Sequence, residues 1–195
     1  VADNGDNSDK RGLEALVEAA RATGEKRGAP PVERWDPPSC GDIDILIRRD
    51  GVWLHEGSPI GRPELVRLFA SILRKDGDDY WLVTPVEKLR IRVEDLPLRA
   101  VRVDVISDAL VFTTDMQDEV AAGPDHVLRV ETDPKTGEPA PSIHVRGRLE
   151  ARITRPVFYE LVALAEPVTT PEGDKLVVRS NGVAFPLGRV DGPWL

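Results

Sequence analysis

Between Asp42 and Ile47 the apolar residues Ile43, Ile45 and Ile47 alternate with Asp42, Asp44 and Leu46. Period two places one set on each side of an extended chain, so this stretch predicts a strand with one buried face. Arg49-Asp50-Gly51 follows, and an Asp-Gly pair tolerates the positive φ of a tight hairpin. Val52-Trp53-Leu54-His55 then returns as the second strand. A chain that begins its ordered body this way must build a sheet and cover one side of it.

The rest of the chain supplies the cover. Leu13, Leu16, Val17 and Ala20 recur at helical spacing within Gly12–Arg21, after a polar start (Val1 to Lys10) expected to be frayed. The apolar stripe is narrow, which predicts a short helix docked on a surface or a partner. Pro63 opens a second helix with Leu65, Leu68, Phe69 and Ile72 on one face, ended by Lys75-Asp76-Gly77-Asp78-Asp79. Tyr80–Val83, with Trp81 in the core, and Leu89–Val93 read as further strands. Beyond Pro97 come Val101–Val105, Leu110–Thr113, His126–Val130 and a strand from Ile143 continuing to Ala151. A helix over Pro156–Leu164 precedes a last pair of strands joined by Asn181-Gly182, the strongest hairpin signal in the chain.

Arg62-Pro63 and Arg155-Pro156 each follow a strand and open a helix that gives way to a polar loop, Asp76-Gly77-Asp78 or Glu172-Gly173-Asp174. The order of elements therefore predicts an α+β fold: two packed domains with a repeated strand–helix–strand motif, mostly antiparallel sheets, and a short N-terminal helix. The boundaries expected are 1–27 for the helical appendage and linker, 28–96 for the first domain and 97–195 for the second. An interface between two such domains is a natural place for a cleft.

Composition removes whole classes of function. The net charge of −8, from 34 acidic and 26 basic residues, argues against binding nucleic acid through its phosphates. The charge is spread along the chain, 19 acids to 16 bases in residues 1–100 and 15 to 10 in 101–195. No apolar run reaches the length of a membrane span. One cysteine, Cys40, allows no internal disulfide or cysteine-held zinc, and with no hydrophobic signal region the chain reads as cytoplasmic.

The densest polar constellation is Cys40-Gly41-Asp42-Ile43-Asp44. Asp42 and Asp44 project together from one strand, and with His55 they offer the donors for a divalent cation or for acid–base work. The same Asp-x-Asp spacing equally serves solvation, turn capping or pairing with arginine. Gly57-x-x-x-Gly61-Arg62 before a helix has the backbone amides to hold an anion, but lacks the Lys-Ser/Thr ending of a phosphate loop. The alternative is a Pro-Gly turn that positions the helix. Glu87 and Lys88 form a further polar pair after a strand. Cys40 reads as a small buried hydrophobe rather than a nucleophile, and His126 and His144 as structural residues of apolar strands. Trp194 is expected to dock on the body or on a second chain.

Trp35-x-Pro37-Pro38-x-Cys40-Gly41-Asp42-Ile43-Asp44 occurs here with Asp50-Gly51-x-Trp53, Glu56-Gly57-x-Pro59-Ile60-Gly61-Arg62-Pro63 and Leu82-Val83-Thr84-Pro85-Val86-Glu87-Lys88. Together they resemble the bacterial domain-of-unknown-function 1285 family over roughly residues 30–190. The resemblance implies a two-domain α+β body with repeated motifs and a role in signal transduction or regulation. It carries no reaction. The expectation is a non-enzymatic regulatory module binding a small molecule or a protein partner through Asp42, Asp44, His55, Arg62, Glu87 and Lys88. The alternative is a metal-assisted hydrolase using Asp42, Asp44 and His55. Cofactor, partner identity and oligomeric state stay open.

Overall fold

The computed structural model describes residues 6–24, 30–171 and 173–190, with the side chains of the first helix from Leu13 to Ala22. The chain divides into two compact units, Val1–Asp95 and Leu96–Leu195. Among the described residues are fifteen strands, three α-helices and one 3-10 turn. About half of the structure is strand and about a fifth helix, so the fold is β-rich and the α+β expectation is corrected. Two causes account for the difference. Short polar strands read as loops in the sequence, and the helices at Pro63 and Arg155 are each followed by three strands rather than the two expected.

In the first unit, α1 (Asp6–Gly24) starts within the segment expected to be frayed. It packs against α2 (Pro63–Ser71) and β1 (Ser39–Ile47), burying Leu16 and Ala20. A 3-10 turn at Val32–Arg34 leads into β1. The antiparallel strands β2 (Trp53–His55) and β3 (Ser58–Pro59) follow, then α2, then β4 (Leu73–Asp76), β5 (Asp79–Val83) and β6 (Lys88–Val93). The sheet order is β3-β2-β1-β6-β5-β4. Every neighbouring pair is antiparallel except β1 and β6, which run parallel at the centre. Ile43, Ile45, Ile47, Trp53, Leu82, Leu89 and Ile91 are buried, with Phe69 of α2 among the core residues. Side chains of this size contribute about 2 kcal/mol each on leaving water.

The second unit repeats that order. Its strands are β7 (Leu98–Ile106), β8 (Ala109–Thr114), β9 (Glu119–Ala121), β10 (Leu128–Thr132), β11 (Pro139–Arg146) and β12 (Leu149–Ile153). They form a sheet β10-β11-β12-β7-β8-β9, with β12 and β7 parallel at the centre. Helix α3 (Arg155–Leu164) follows, packs on β7, and leads into a three-stranded antiparallel sheet of β13 (Glu166–Thr170), β14 (Gly173–Ser180) and β15 (Val183–Arg189). Both Arg-Pro sites open helices with proline in the first turn. Yet α2 stands between the third and fourth strands of its sheet, and α3 comes after the sixth. Each Arg-Pro helix has a strand on both sides, β3-α2-β4 and β12-α3-β13, and leads into a three-stranded meander, but the two occupy different places relative to the repeated six-stranded sheet.

Four local expectations change. The helix at Pro63 ends at Ser71, and the polar stretch expected to stop it is instead the β4–β5 hairpin, with Asp76 opposite Asp79. Glu56 and Gly57 both take positive φ, 50° and 74°, joining β2 to β3 by a tight turn. Within the candidate anion-holding stretch, Gly57 therefore belongs to a β-hairpin turn, Ser58-Pro59 to β3, and Gly61-Arg62 to the lead into α2. The strand from Ile143 to Ala151 is two strands separated at Gly147. Trp81 is only half-buried and lies on the outer face of the first sheet. Asn181 and Gly182 have φ of 48° and 74°, the pair of left-handed residues that the Asn-Gly hairpin signal predicts. Trp194 lies outside the described residues. Among the described residues, no helix is long and apolar enough to cross a membrane.

Candidate functional site

The alternation that buries Ile43, Ile45 and Ile47 turns Asp42 and Asp44 onto the outer face of the first sheet. The parallel pairing of β1 with β6 sets Asp42 opposite Arg90. Both carboxylate oxygens of Asp42 accept from the Arg90 guanidinium, through Nε and Nη2, at 2.9 Å each. That contact holds the Asp42 carboxyl below the usual carboxylate range and raises the pKa of Arg90. Asp79 lies 3.7 Å from the same guanidinium, and Arg92 donates to Asp44. An open groove of about 760 Å³ runs over this ladder of pairs, between Asp78, Asp79 and Tyr80 on one side and Asp42 and Asp44 on the other.

Further along the same face, Arg74 of β4 is 6% exposed. Its Nε and Nη2 donate to Asp76 at 2.8 and 2.7 Å, and its Nη1 donates to the carbonyls of Val32 and Trp35 at 2.8 and 2.6 Å. Arg74 therefore staples the chain before β1 onto the sheet. Lys88 Nζ reaches Asp76 at 3.3 Å and sits 4.8 Å above the Trp81 ring. The hydrogen bonds from Arg74, with Lys88 beside them, hold the Asp76 carboxyl low.

His55 is not on this face. The register places it opposite Ile45, whose side chain is buried, so it points to the other side of the sheet from Asp42 and Asp44. Its Nε2 is buried without a hydrogen-bond partner, as is Nε1 of Trp53. A hydrolase built on Asp42, Asp44 and His55 has no common surface to work from. Among the described residues, no three His, Cys, Asp or Glu side chains group as metal ligands. Glu87 serves a turn: its N–H donates to Thr84 Oγ1 at 3.2 Å, and its carbonyl accepts from the Thr84 N–H at 2.9 Å. Cys40 is exposed, not buried as expected. His126 Nδ1 lies 3.1 Å from the His144 carbonyl and the two rings stack, within the second unit.

Arg62 stands apart from all of these. It occupies the position before Pro63, extended at φ −112° and exposed, at the mouth of a groove between α1 and α2. This groove encloses about 990 Å³. Leu13, Val17 and Leu65 form its apolar lining, all half-buried. Glu14, Glu18 and Arg21 rim it from α1, and Arg62, Glu64 and Arg67 from the α2 side. Among the described residues, none of these six charges makes an ion pair. Sequence reasoning identified Arg62 but missed the groove. Its signal was there in Leu13-Glu14 and Val17-Glu18, an apolar-acidic pair repeated one turn apart on a narrow-striped helix.

The six expected site residues thus divide. Asp42, Asp44 and Lys88 share the outer sheet face, Arg62 rims the helix groove, His55 points to the opposite side of the sheet, and Glu87 belongs to a turn.

Comparison with known proteins agrees with this architecture. The profile described as Domain of unknown function (DUF1285), N-terminal domain, matches residues 30–96, and that of the C-terminal domain matches residues 97–187. A DUF1285 family protein from Silicibacter pomeroyi DSS-3 is similar in structure, with 47% identity and a TM-score of 0.80 over 90% of this chain and 95% of that one. A DUF1285 family protein from Shewanella baltica OS155 is similar at 26% identity and a TM-score of 0.50, over 61% of this chain and 90% of that one. A search of curated proteins finds no match. With both profiles matched and close structural likeness across nearly its whole length, the chain belongs to the DUF1285 family.

Proposed function

We propose that this chain is a cytoplasmic, non-enzymatic module that binds a protein partner in a regulatory role, of the kind used in signal transduction. The observation that carries the reading is the groove between α1 and α2, an apolar lining rimmed by six charges that pair with nothing among the described residues. Lone surface charges are ordinary. Charges of both signs ringing half-buried Leu13, Val17 and Leu65 match the apolar-centre, polar-rim pattern of a protein interface. The exposed free thiol of Cys40 supports a reducing compartment. Nucleic acid fits poorly, because the rim is balanced in sign and the chain is acidic overall.

The test is site-specific photocrosslinking in the cell that makes the protein. A photoreactive residue at Val17 or Leu65 is expected to give a discrete protein adduct. The same residue at Val86, which is 66% exposed and away from the groove lining, is expected to give none. Equal adducts at all three positions, or none at the groove, overturn the reading.

A further inference from the structure

Resting on that reading, we infer that the occupant of the α1–α2 groove is an amphipathic helix of a partner protein, with basic residues along one flank and acidic residues along the other. The first argument is backbone chemistry. The α1 wall, Leu13 to Arg21, lies within a helix whose peptide groups bond internally, and the α2 wall is Gly61-Arg62 with the first turn of α2, where Pro63 has no N–H and the Leu65 N–H donates to the Arg62 carbonyl at 3.0 Å. Neither wall is a strand, so neither offers the row of N–H and C=O groups of a sheet edge. An extended segment would leave its own backbone unmatched there, because strand addition depends on a sheet edge. A helix brings its backbone bonds already made and needs only side-chain contact.

The second argument is the lining. Leu13 and Val17 are one turn apart on α1, and Leu65 faces the same groove from α2. A third helix laid against two helices buries such residues with its own apolar stripe. The third is charge. The α1 wall carries Glu14 and Glu18 against Arg21, and the α2 wall carries Arg62 and Arg67 against Glu64. The walls are therefore of opposite net sign, and a partner with split flanks complements both at once. A helix with basic flanks on both sides, such as one suited to an acidic membrane, meets repulsion from Arg62 and Arg67.

The experiment uses the full chain and three synthetic 18-residue helical peptides with the same leucine face. One has lysine on one flank and glutamate on the other, one has lysine on both, and one has glutamate on both. Binding is read by fluorescence anisotropy. The split-flank peptide is expected to bind at least about tenfold more tightly than either other peptide. The double variant Glu14→Lys, Glu18→Lys makes both walls basic, and the all-glutamate peptide is then expected to bind most tightly. Val17→Glu is expected to abolish binding. Because Val17 is half-buried, circular dichroism checks its fold, and the charge-reversal variant at exposed positions keeps the test independent of it.

Three peptides of equal affinity, no binding by any of them, or a preference unmoved by charge reversal overturns the inference. Sedimentation showing a dimer that Val17→Glu dissolves assigns the groove to a second copy and also overturns it. A specific photocrosslink at Val17 with no peptide binding leaves the groove as a partner site and rejects only the helix.

Discussion

On the outer face of the first sheet, Asp42 faces Arg90, Asp44 faces Arg92, and Asp76 accepts from both Arg74 and Lys88. Around the groove between α1 and α2, Glu14, Glu18, Arg62 and Arg67 have no such counterpart among the described residues. Both regions belong to one unit, and both mix carboxylates with basic side chains. The difference lies in what holds the charges. Strands fix side chains at short cross-strand distances, so opposite charges placed in register find one another. Across the groove between the two helices, the rim charges find no such register and stay unpaired among the described residues. On the sheet face the charges are matched within the chain, whereas at the groove they are not matched among the described residues.

The contrast is broken most severely at Arg74. Replacing this buried guanidinium in Arg74→Leu frees the Val32 and Trp35 carbonyls and removes the main partner of Asp76. Equilibrium urea unfolding is expected to show a loss of about 3 kcal/mol, the scale for breaking a buried charged network. A variant as stable as the parent would show that the sheet face does not depend on its pairs.

Asp76→Asn tests the same network from the acid, half-exposed side. Its folded pKa is depressed, so its stabilisation is present above the unfolded value of about 3.9 and lost as pH falls through the lower folded value. In urea titrations the variant is expected to lose about 1 kcal/mol at neutral pH, a modest figure because the carboxylate is partly in water. The gap between variant and parent should close under acid conditions. A gap independent of pH would mean the effect is steric.

Asp115 in the second unit sharpens the comparison by reversing the sign. Its carboxylate accepts from the backbone N–H of Arg99 at 3.0 Å, and burial pushes its carboxyl above the usual range. A raised folded pKa stabilises the fold below the unfolded value and loses that contribution as pH rises through the folded value. Asp115→Asn is therefore expected to gain on the parent in thermal midpoint as pH rises from about 4 toward neutrality. An advantage that grows as pH falls would refute the assignment.

The smallest effect on stability is expected at the groove. Arg62→Ala and Glu14→Ala remove exposed charges without partners among the described residues, so each should stay within about 0.5 kcal/mol of the parent. A loss of 2 kcal/mol or more would place these side chains among the fold's own supports and remove the contrast with the sheet face.

Much of the local structure was legible in the residues themselves. The alternation of Ile43, Ile45 and Ile47 predicts β1, Asn181-Gly182 predicts the β14–β15 turn, and Pro63 marks the start of α2. Leu73 shows why legibility stops. It continues the apolar run of α2, and nothing near it in sequence says that it will pair with Leu82 instead. The candidate site was legible only in part for the same reason. Asp42, Asp44 and His55 sit within fourteen residues of one another, but a single register places the carboxylates and the imidazole on opposite faces.

What the amino-acid sequence determined alone was set by short-range sterics: which residues favour extended backbone, which tolerate positive φ, and where proline can open a helix. The tertiary structure decided which strands meet. The parallel junction of β1 with β6 brings Asp42 to Arg90 across 48 residues, and β12 meets β7 the same way in the second unit. Such pairings depend on burying a whole sheet face against the entropy of closing a long loop. That balance belongs to the assembled chain. It also decided which charges were matched and which were left facing an open groove.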